Sequence, residues 1–471
     1  MIRFHLVLSI VFFAFTATTH AAQLKWVGSY DSGYKKGVEI ISVQQSTARA
    51  ALTISGKKQV DILSLENPLK PQRVQRISVA PHSGGDISSV AFHPFNDIVA
   101  VALIADHPLA VGQVLIFNAT SGEQVATFEA GYWPDSVLFS NDGRWLAVAN
   151  EGEPFVVGDK GELNTPPGSV TLIDIKSDLH SSVVKQIALP DLTGVDGVLQ
   201  GFHKRSFERA VDLNEDGVIS GDEEEIIVPI TAADADYLEP EYLAFSPDGR
   251  ELFVSLQENN AVLVVDVAST QVARWFGLGT TQHLADTQDD ERISFTNLLS
   301  AFREPDGIAI SADGRLLLTA DEGDTEPKAS KVKAGQLAGG GRTLSLFDAK
   351  TGQLLGDTGN QLDAMAHAMA LYPDKRSDNK GSEPETVIYV ELSGTPYAVV
   401  TLERADALAL VNLKEPSKPL VEFVVPLREP GDKAKAYAPE GLALYRGGEG
   451  QYYVLCANEK RGTLSVVAVE P

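Results

Sequence analysis

One repeated unit constrains this chain more than any other feature. Each copy reads as a proline and an acidic residue, an alternating apolar strand, an Asp-Gly turn, a second strand, an acidic corner and a third strand. The copies are WPDSVLFSNDGRWLAVANEGEP (133–154) with GSVTLIDI (168–175), EPEYLAFSPDGRELFVSLQENNAVLVVDV (239–267), and EPDGIAISADGRLLLTADEGD (304–324) with TLSLFDAKTG (343–352). Two more are EPETVIYVELSGTPYAVVTLERADALALVNL (383–413) and APEGLALYRGGEGQYYVLCANEKRGTLSVVAV (438–469). A degenerate copy, DISSVAFHPFNDIVAVALIADHP (86–108), precedes them, and GVEIISVQQSTARAALTISGKKQVDILSL (37–65) reads as another.

A short unit of strands that cannot bury its faces alone, repeated about seven times, predicts an all-β chain folded as a WD40/YVTN-like β-propeller. The first and last strands are expected to pair and close the ring. Marker prolines at 134, 240, 305, 384 and 439 lie further apart than the roughly 40 to 50 residues of a bare blade, so the surplus must sit in insertions. Loss of alternation places these at 196–236, at 276–302 (polar and partly helical), at 324–341 and at 355–382. The last holds the amphipathic run LDAMAHAMAL, expected to cap one face.

Within 196–236, residues 212–223 match the EF-hand calcium loop D-x-[DN]-x-[DN]-G-x₅-E at every specified position. Calcium needs six to eight oxygens. Asp212, Asn214 and Asp216 supply them from alternate positions, Val218 offers its carbonyl, Ser220 binds directly or through water, and Glu223 closes the site with both carboxylate oxygens. The flanks SFERAV and EEEIIVPI give at most short helices, so the loop is expected to clamp the insertion rather than act as a sensor.

A second constellation follows from the repeat. Strand starts carry Asp135, Glu241, Asp306, Glu385 and Glu440, and corners carry Glu151, Glu258, Glu322, Glu403 and Glu459. Equivalent positions in successive blades form a ring, so these carboxylates are expected near one channel mouth. Like charges so placed either take up protons or hold a cation, for which calcium suits an all-oxygen site. Equally, the glutamates accept backbone amides or pair with Arg404, Lys460 and Arg461 to tie blades together.

The start MIRFHLVLSIVFFAFTATTHAA has the cationic, apolar and small-residue regions of a signal peptide, residues 1–21, leaving 22–471 as a single domain. The apolar run is too short to span a bilayer, and no hydrophobic tail follows, so a soluble periplasmic or secreted protein, a monomer, is expected. With 39 basic and 64 acidic residues the net charge is −25, which argues against nucleic acid and anionic lipid as partners. The one cysteine, Cys456, lies in the strand-like YYVLCAN and reads as a small buried hydrophobe. No nucleophile elbow, zinc helix, Walker loop or dinucleotide fingerprint occurs, and His82, His93, His203, His283 and His367 have no ligand spacing, so no catalytic residue is assigned.

The strings VANEGEP, LEPEYLAFSPDGRELFVSLQENNAVLVVDV, TADEGD, SDNKGSEPE, TLERADALALVNL, and APEGLAL with CANEKRGTLSVV resemble the choice-of-anchor I family of exported bacterial propellers. That family is related to mesenchyme-specific cell-surface glycoproteins and often labelled alkaline-phosphatase-like. The resemblance implies a seven-bladed propeller and no established chemistry. The leading expectation is an exported calcium-binding module that recognises an extracellular protein or glycan at a propeller face. The rival is a calcium-dependent phosphoesterase using the acidic mouth, with lactone hydrolysis third. Against the rival, basic residues cluster only at Lys328, Lys331 and Lys333.

Overall fold

The computed structural model describes residues 22–79, 85–107, 109–153, 155–157, 162–190, 192, 206–210, 225–229, 238–323, 327–333, 335–428, 436–448 and 450–470. The proposed signal peptide and the calcium loop with Asp212, Asn214, Asp216, Val218, Ser220 and Glu223 lie outside these residues.

Seven four-stranded antiparallel sheets make seven blades. The innermost strands are Ile41–Gln44, Ile87–Phe92, Pro134–Phe139, Pro240–Phe245, Pro305–Ile310, Pro384–Leu392 and Pro439–Arg446. The ring closes as expected. Gln23–Asp31 joins the last blade as its outermost strand, pairing Gln23 with Glu470 and Asp31 with Thr463.

Seven large hydrophobic clusters lie one between each pair of neighbouring blades. Leu318 and Leu344 of the fifth blade meet Val387 and Val400 of the sixth, for example. Middle strands such as Ala261–Asp266 are therefore buried on both faces and read as continuous apolar runs. Each blade also has a fourth, outer strand beyond the three expected. These alternate exposed and half-buried residues, as in Gln271–Gly277, because only one face meets a neighbour.

The repeated Ser-x-Asp-Gly-Arg turns share one construction. Ser140, Ser246 and Ser311 donate to Asp142, Asp248 and Asp313 at 2.6, 2.8 and 2.6 Å. Gly143, Gly249 and Gly314 take the positive φ the turn needs. The serine bond, the first cause in each case, holds the aspartate carboxyls below their ordinary range.

Two expectations are corrected. Residues 276–302 are not partly helical: Thr280–Ala285 pairs with Asn297–Phe302 as a hairpin. Its buried positions are Thr281, His283 and Ala285, so the period of two was present but masked by polar residues. The flanks of the calcium loop are also strands, Ser206–Ala210 paired with Glu225–Pro229, in place of short helices. The run in 355–382 is helical, Gln361–Ala368, and buries Leu362 and Ala366 in the cluster between the fifth and sixth blades.

Candidate functional site at the channel mouth

Each marker proline opens an innermost strand and pairs with the end of the second strand: Pro134 with Asn150, Pro240 with Leu256, Pro305 with Asp321, Pro384 with Leu402 and Pro439 with Asn458. The register then slips between the proline and the third residue beyond it. Asp135, Glu241, Asp306, Glu385 and Glu440 all fall in this bulge, a device that re-aims a side chain. The residue before the proline has positive φ at Trp133 (47°), Glu304 (51°), Glu383 (62°) and Ala438 (50°). Such backbone costs on the order of 1–3 kcal/mol per residue and is held here by tertiary bonds. The amides of the corner residues Glu151, Glu403 and Glu459 donate to the carbonyls of Trp133, Glu383 and Ala438 at 2.9, 2.8 and 2.9 Å. One turn thus fixes both acids of a blade.

Hairpin pairing sets the corner acid beside the strand-start acid, and the ring brings in the next blade. Carboxylate oxygens of Asp135, Glu151 and Glu241 lie within 4.8 Å of one another, and Asp306, Glu322 and Glu385 repeat that arrangement. Glu383, Glu385 and Glu403 form a third group. Burial is the first cause that pushes Glu241, Asp306 and Glu385 well above the usual carboxylate range, with neighbouring carboxylates adding to it. Asp135 and Glu440 are pushed up to about 7 and Glu403 to about 8, again chiefly by burial. Besides burial, Asp135 feels Glu153 and Glu39, and Glu241 feels Glu151, Glu258, Asp135 and Asp306, all of which raise it.

Cations enter part of the ring. Lys380 Nζ lies 2.6 Å from Glu322 Oε1, and Gln257 Nε2 donates to Glu322 Oε2 at 2.7 Å. Burial works against the Lys380 ammonium, but Glu322, Glu383 and Glu385 outweigh it and hold it charged. Arg404 bridges Glu403 at 2.6 Å and Glu383 at 3.1 Å, and Lys460 of the seventh blade reaches Glu403 of the sixth at 3.4 Å. Burial alone raises Glu383, yet Lys380, Arg376 and Arg404 together hold it below the usual range. Of the blade-tying pairs expected, Lys460 with Glu403 joins the seventh blade to the sixth, Arg404 pairs with two acids of its own blade, and the Arg461 guanidinium lies over the Tyr437 ring at 5.7 Å.

Sequence reasoning missed Glu39, which faces Glu459 and is raised chiefly by burial. Val38-Glu39-Ile40-Ile41 aligns with Pro439-Glu440-Gly441-Leu442, but valine replaces the marker proline. Lys380 carried no local signal, because its loop meets the mouth only through the fold. Below the acids an axial cavity of about 650 Å³ is lined by all seven innermost strands, with Val43, Leu138, Ile310 and Leu444 along its wall. Cys456 is fully buried, and burial first, then Glu440, pushes its thiol well above the ordinary value. His93 accepts the amides of Phe95 and Asn96, and His283 bonds the Gly341 carbonyl, so both are packing residues.

A family model described as the choice-of-anchor I domain matches residues 39–339 and 329–416. The chain belongs to this family. No curated protein matches it. Among solved structures it is similar to the β-propeller domain of Cps50 (Swd1) from Myceliophteria thermophila, with TM-score 0.52 and 10% identity over 95% of this chain and 100% of that one. It is also similar to Kuenenia stuttgartiensis hydrazine synthase, with TM-score 0.53 and 13% identity over 93% and 98%. At these identities the likeness concerns the fold alone. Among the described residues no helix is long and apolar enough to cross a membrane.

Proposed function

We propose that this choice-of-anchor I propeller is an exported, non-catalytic interaction module that holds calcium at two places. One is the loop 212–223, where Asp212, Asn214, Asp216, Val218, Ser220 and Glu223 are the ligands. Strand pairing of Ala210 with Glu225 supports a clamp on that insertion, since it holds the ends of the loop together without the helix pair of a sensor. The other is the mouth group Asp135, Glu151 and Glu241.

The observation that carries the mouth site is the convergence of those three carboxylates within 4.8 Å. After burial, the carboxylates Glu153 and Glu39 raise Asp135, and Glu151, Glu258, Asp135 and Asp306 raise Glu241, a field that a divalent cation would relieve. Three carboxylates can give calcium half or more of its oxygens, with water completing the shell. In the related group at Asp306, Glu322 and Glu385, the Lys380 ammonium already supplies positive charge.

A phosphoesterase would need cations to receive phosphate oxygens as well as a metal to activate water. Among the described residues, Lys380, Arg376, Arg404 and Lys460 bring positive charge to the mouth, and each is engaged by a carboxylate, at 2.6, 2.8, 2.6 and 3.4 Å. That favours binding over turnover. Metal analysis of purified protein, followed by phosphoester and lactone panels with and without calcium, tests the reading. Bound calcium without turnover supports it, and calcium-dependent hydrolysis that disappears in Glu241→Gln overturns the non-catalytic assignment.

A further inference from the structure

The axial cavity beneath the acids, about 650 Å³, lies within the roughly 300–1,000 Å³ of small-molecule sites. From Asp135 to Phe139 its wall follows one innermost strand for about 13 Å, at the roughly 3.3 Å rise of a strand. It reaches the far turns, where Asn141, Pro247 and Ala312 line it. Val43, Leu138, Ile310, Ile388 and Leu444 are half-buried. Each packs against a between-blade cluster on one side and lines the cavity on the other. Ala244, Ala309 and Ala443 follow Glu241, Asp306 and Glu440 by three residues and are too small to fill the space beneath these acids.

Most polar groups of the wall are already engaged. The Ser42 and Ser89 hydroxyls accept the Phe92 and Val137 amides at 2.9 and 3.3 Å, and Ser88 donates to the Pro134 carbonyl at 2.6 Å. The Tyr242 hydroxyl is hydrogen-bonded to Thr386. Two neighbours at the acid end of the wall, Asp135 and Ser136, are not engaged. Among the described residues Asp135 has no hydrogen bond or ion pair, and the Ser136 hydroxyl is buried without a partner. After burial, the charges that act on Asp135 are those of Glu153 and Glu39, both acids.

We propose that the axial cavity binds a primary amine with an apolar body, which lies along the wall while its ammonium meets Asp135 and Ser136. An alkylammonium has three N–H donors and no acceptor, which suits an unpaired carboxylate and an unpartnered hydroxyl side by side. A carboxylate head would add charge to a mouth already crowded with acids, and an alcohol would bring no charge to offset them. The apolar body leaves water for the aliphatic wall, and each methylene so buried tightens binding about threefold to fourfold.

The proposal rests on the interaction-module reading for its ligand class and shares Asp135 with the calcium group, but it needs no calcium, so the two readings fail separately. Calorimetric titration of the full protein in chelator with butylamine, hexylamine, octylamine, octanol and octanoate tests it. Octylamine should bind saturably at one site, about tenfold tighter than octanol, with octanoate weaker still. Lengthening the amine by two methylenes should tighten binding about tenfold. Asp135→Asn should lose about tenfold in affinity for octylamine and keep its affinity for octanol. Ala309→Phe and Ala443→Phe, which fill the cavity from different blades, should each abolish binding of both. Absence of octylamine binding, equal binding of octanol or octanoate, or an affinity indifferent to chain length overturns the proposal. Full octylamine affinity in Asp135→Asn, or in both filled variants, overturns it as well.

Discussion

Replacing Glu440 with glutamine should stabilise the metal-free protein at pH 8 and leave it little changed at pH 5. The folded-state pKa of Glu440 is about 7, against an ordinary 4.5, because burial comes first and the charges of Glu322, Glu459 and Glu39 follow. A carboxyl whose pKa is raised by folding gives stability that is fully present below about pH 4.5 and lost as the pH rises through about 7. For a shift from 4.5 to about 7, the loss between pH 5 and pH 8 is about 2.5 kcal/mol as an upper figure, since water in the channel screens the charge. Glutamine has the same shape and no charge to lose. In a chain of this length about 1 kcal/mol moves the melting point by about 1 °C, so scanning calorimetry in chelator should show Glu440→Gln melting about 2 °C above the parent at pH 8. Relief of Glu39 and Glu459 adds in the same direction. A variant that melts lower than the parent at pH 8, or a parent whose melting point does not fall from pH 5 to pH 8, would refute the electrostatic reasoning.

Three further outcomes follow. Lys380→Met removes the ammonium beside Glu322, so the Asp306, Glu322 and Glu385 group should become cation-dependent, read as a larger melting shift on adding calcium than the parent shows. Arg303→Met should destabilise by about 3–5 kcal/mol in chemical denaturation, because Asp321 and Asp357, 3.6 and 2.9 Å from the guanidinium, are left without it. Glu223→Gln should lower calcium affinity and the calcium-dependent melting shift together, and an unchanged shift would refute the loop assignment.

The fold was legible because each blade repeats strong local signals: proline before the acid, Asp-Gly turns, and middle strands buried on both faces. Outer strands such as Gln72–Ser78 escaped because one exposed face leaves them polar. The hairpin 280–302 escaped because threonine, histidine and alanine fill its inward positions. Ten acids of the mouth could be named from Asp135 to Glu459 because they sit at fixed offsets from strand ends. What sequence could not give was their grouping across blades. The meeting of Glu241 with Asp135 and Glu151, like the arrival of Lys380 at Glu322, is set by ring geometry over long separations.

Calorimetric titration of calcium into metal-free protein, with Glu223→Gln and Glu241→Gln in parallel, bears most directly on the central claim. The account predicts two sites in the parent, one in each variant, and none in the double variant. A Glu241→Gln protein that keeps both sites would contradict the assignment of the channel mouth as a calcium site.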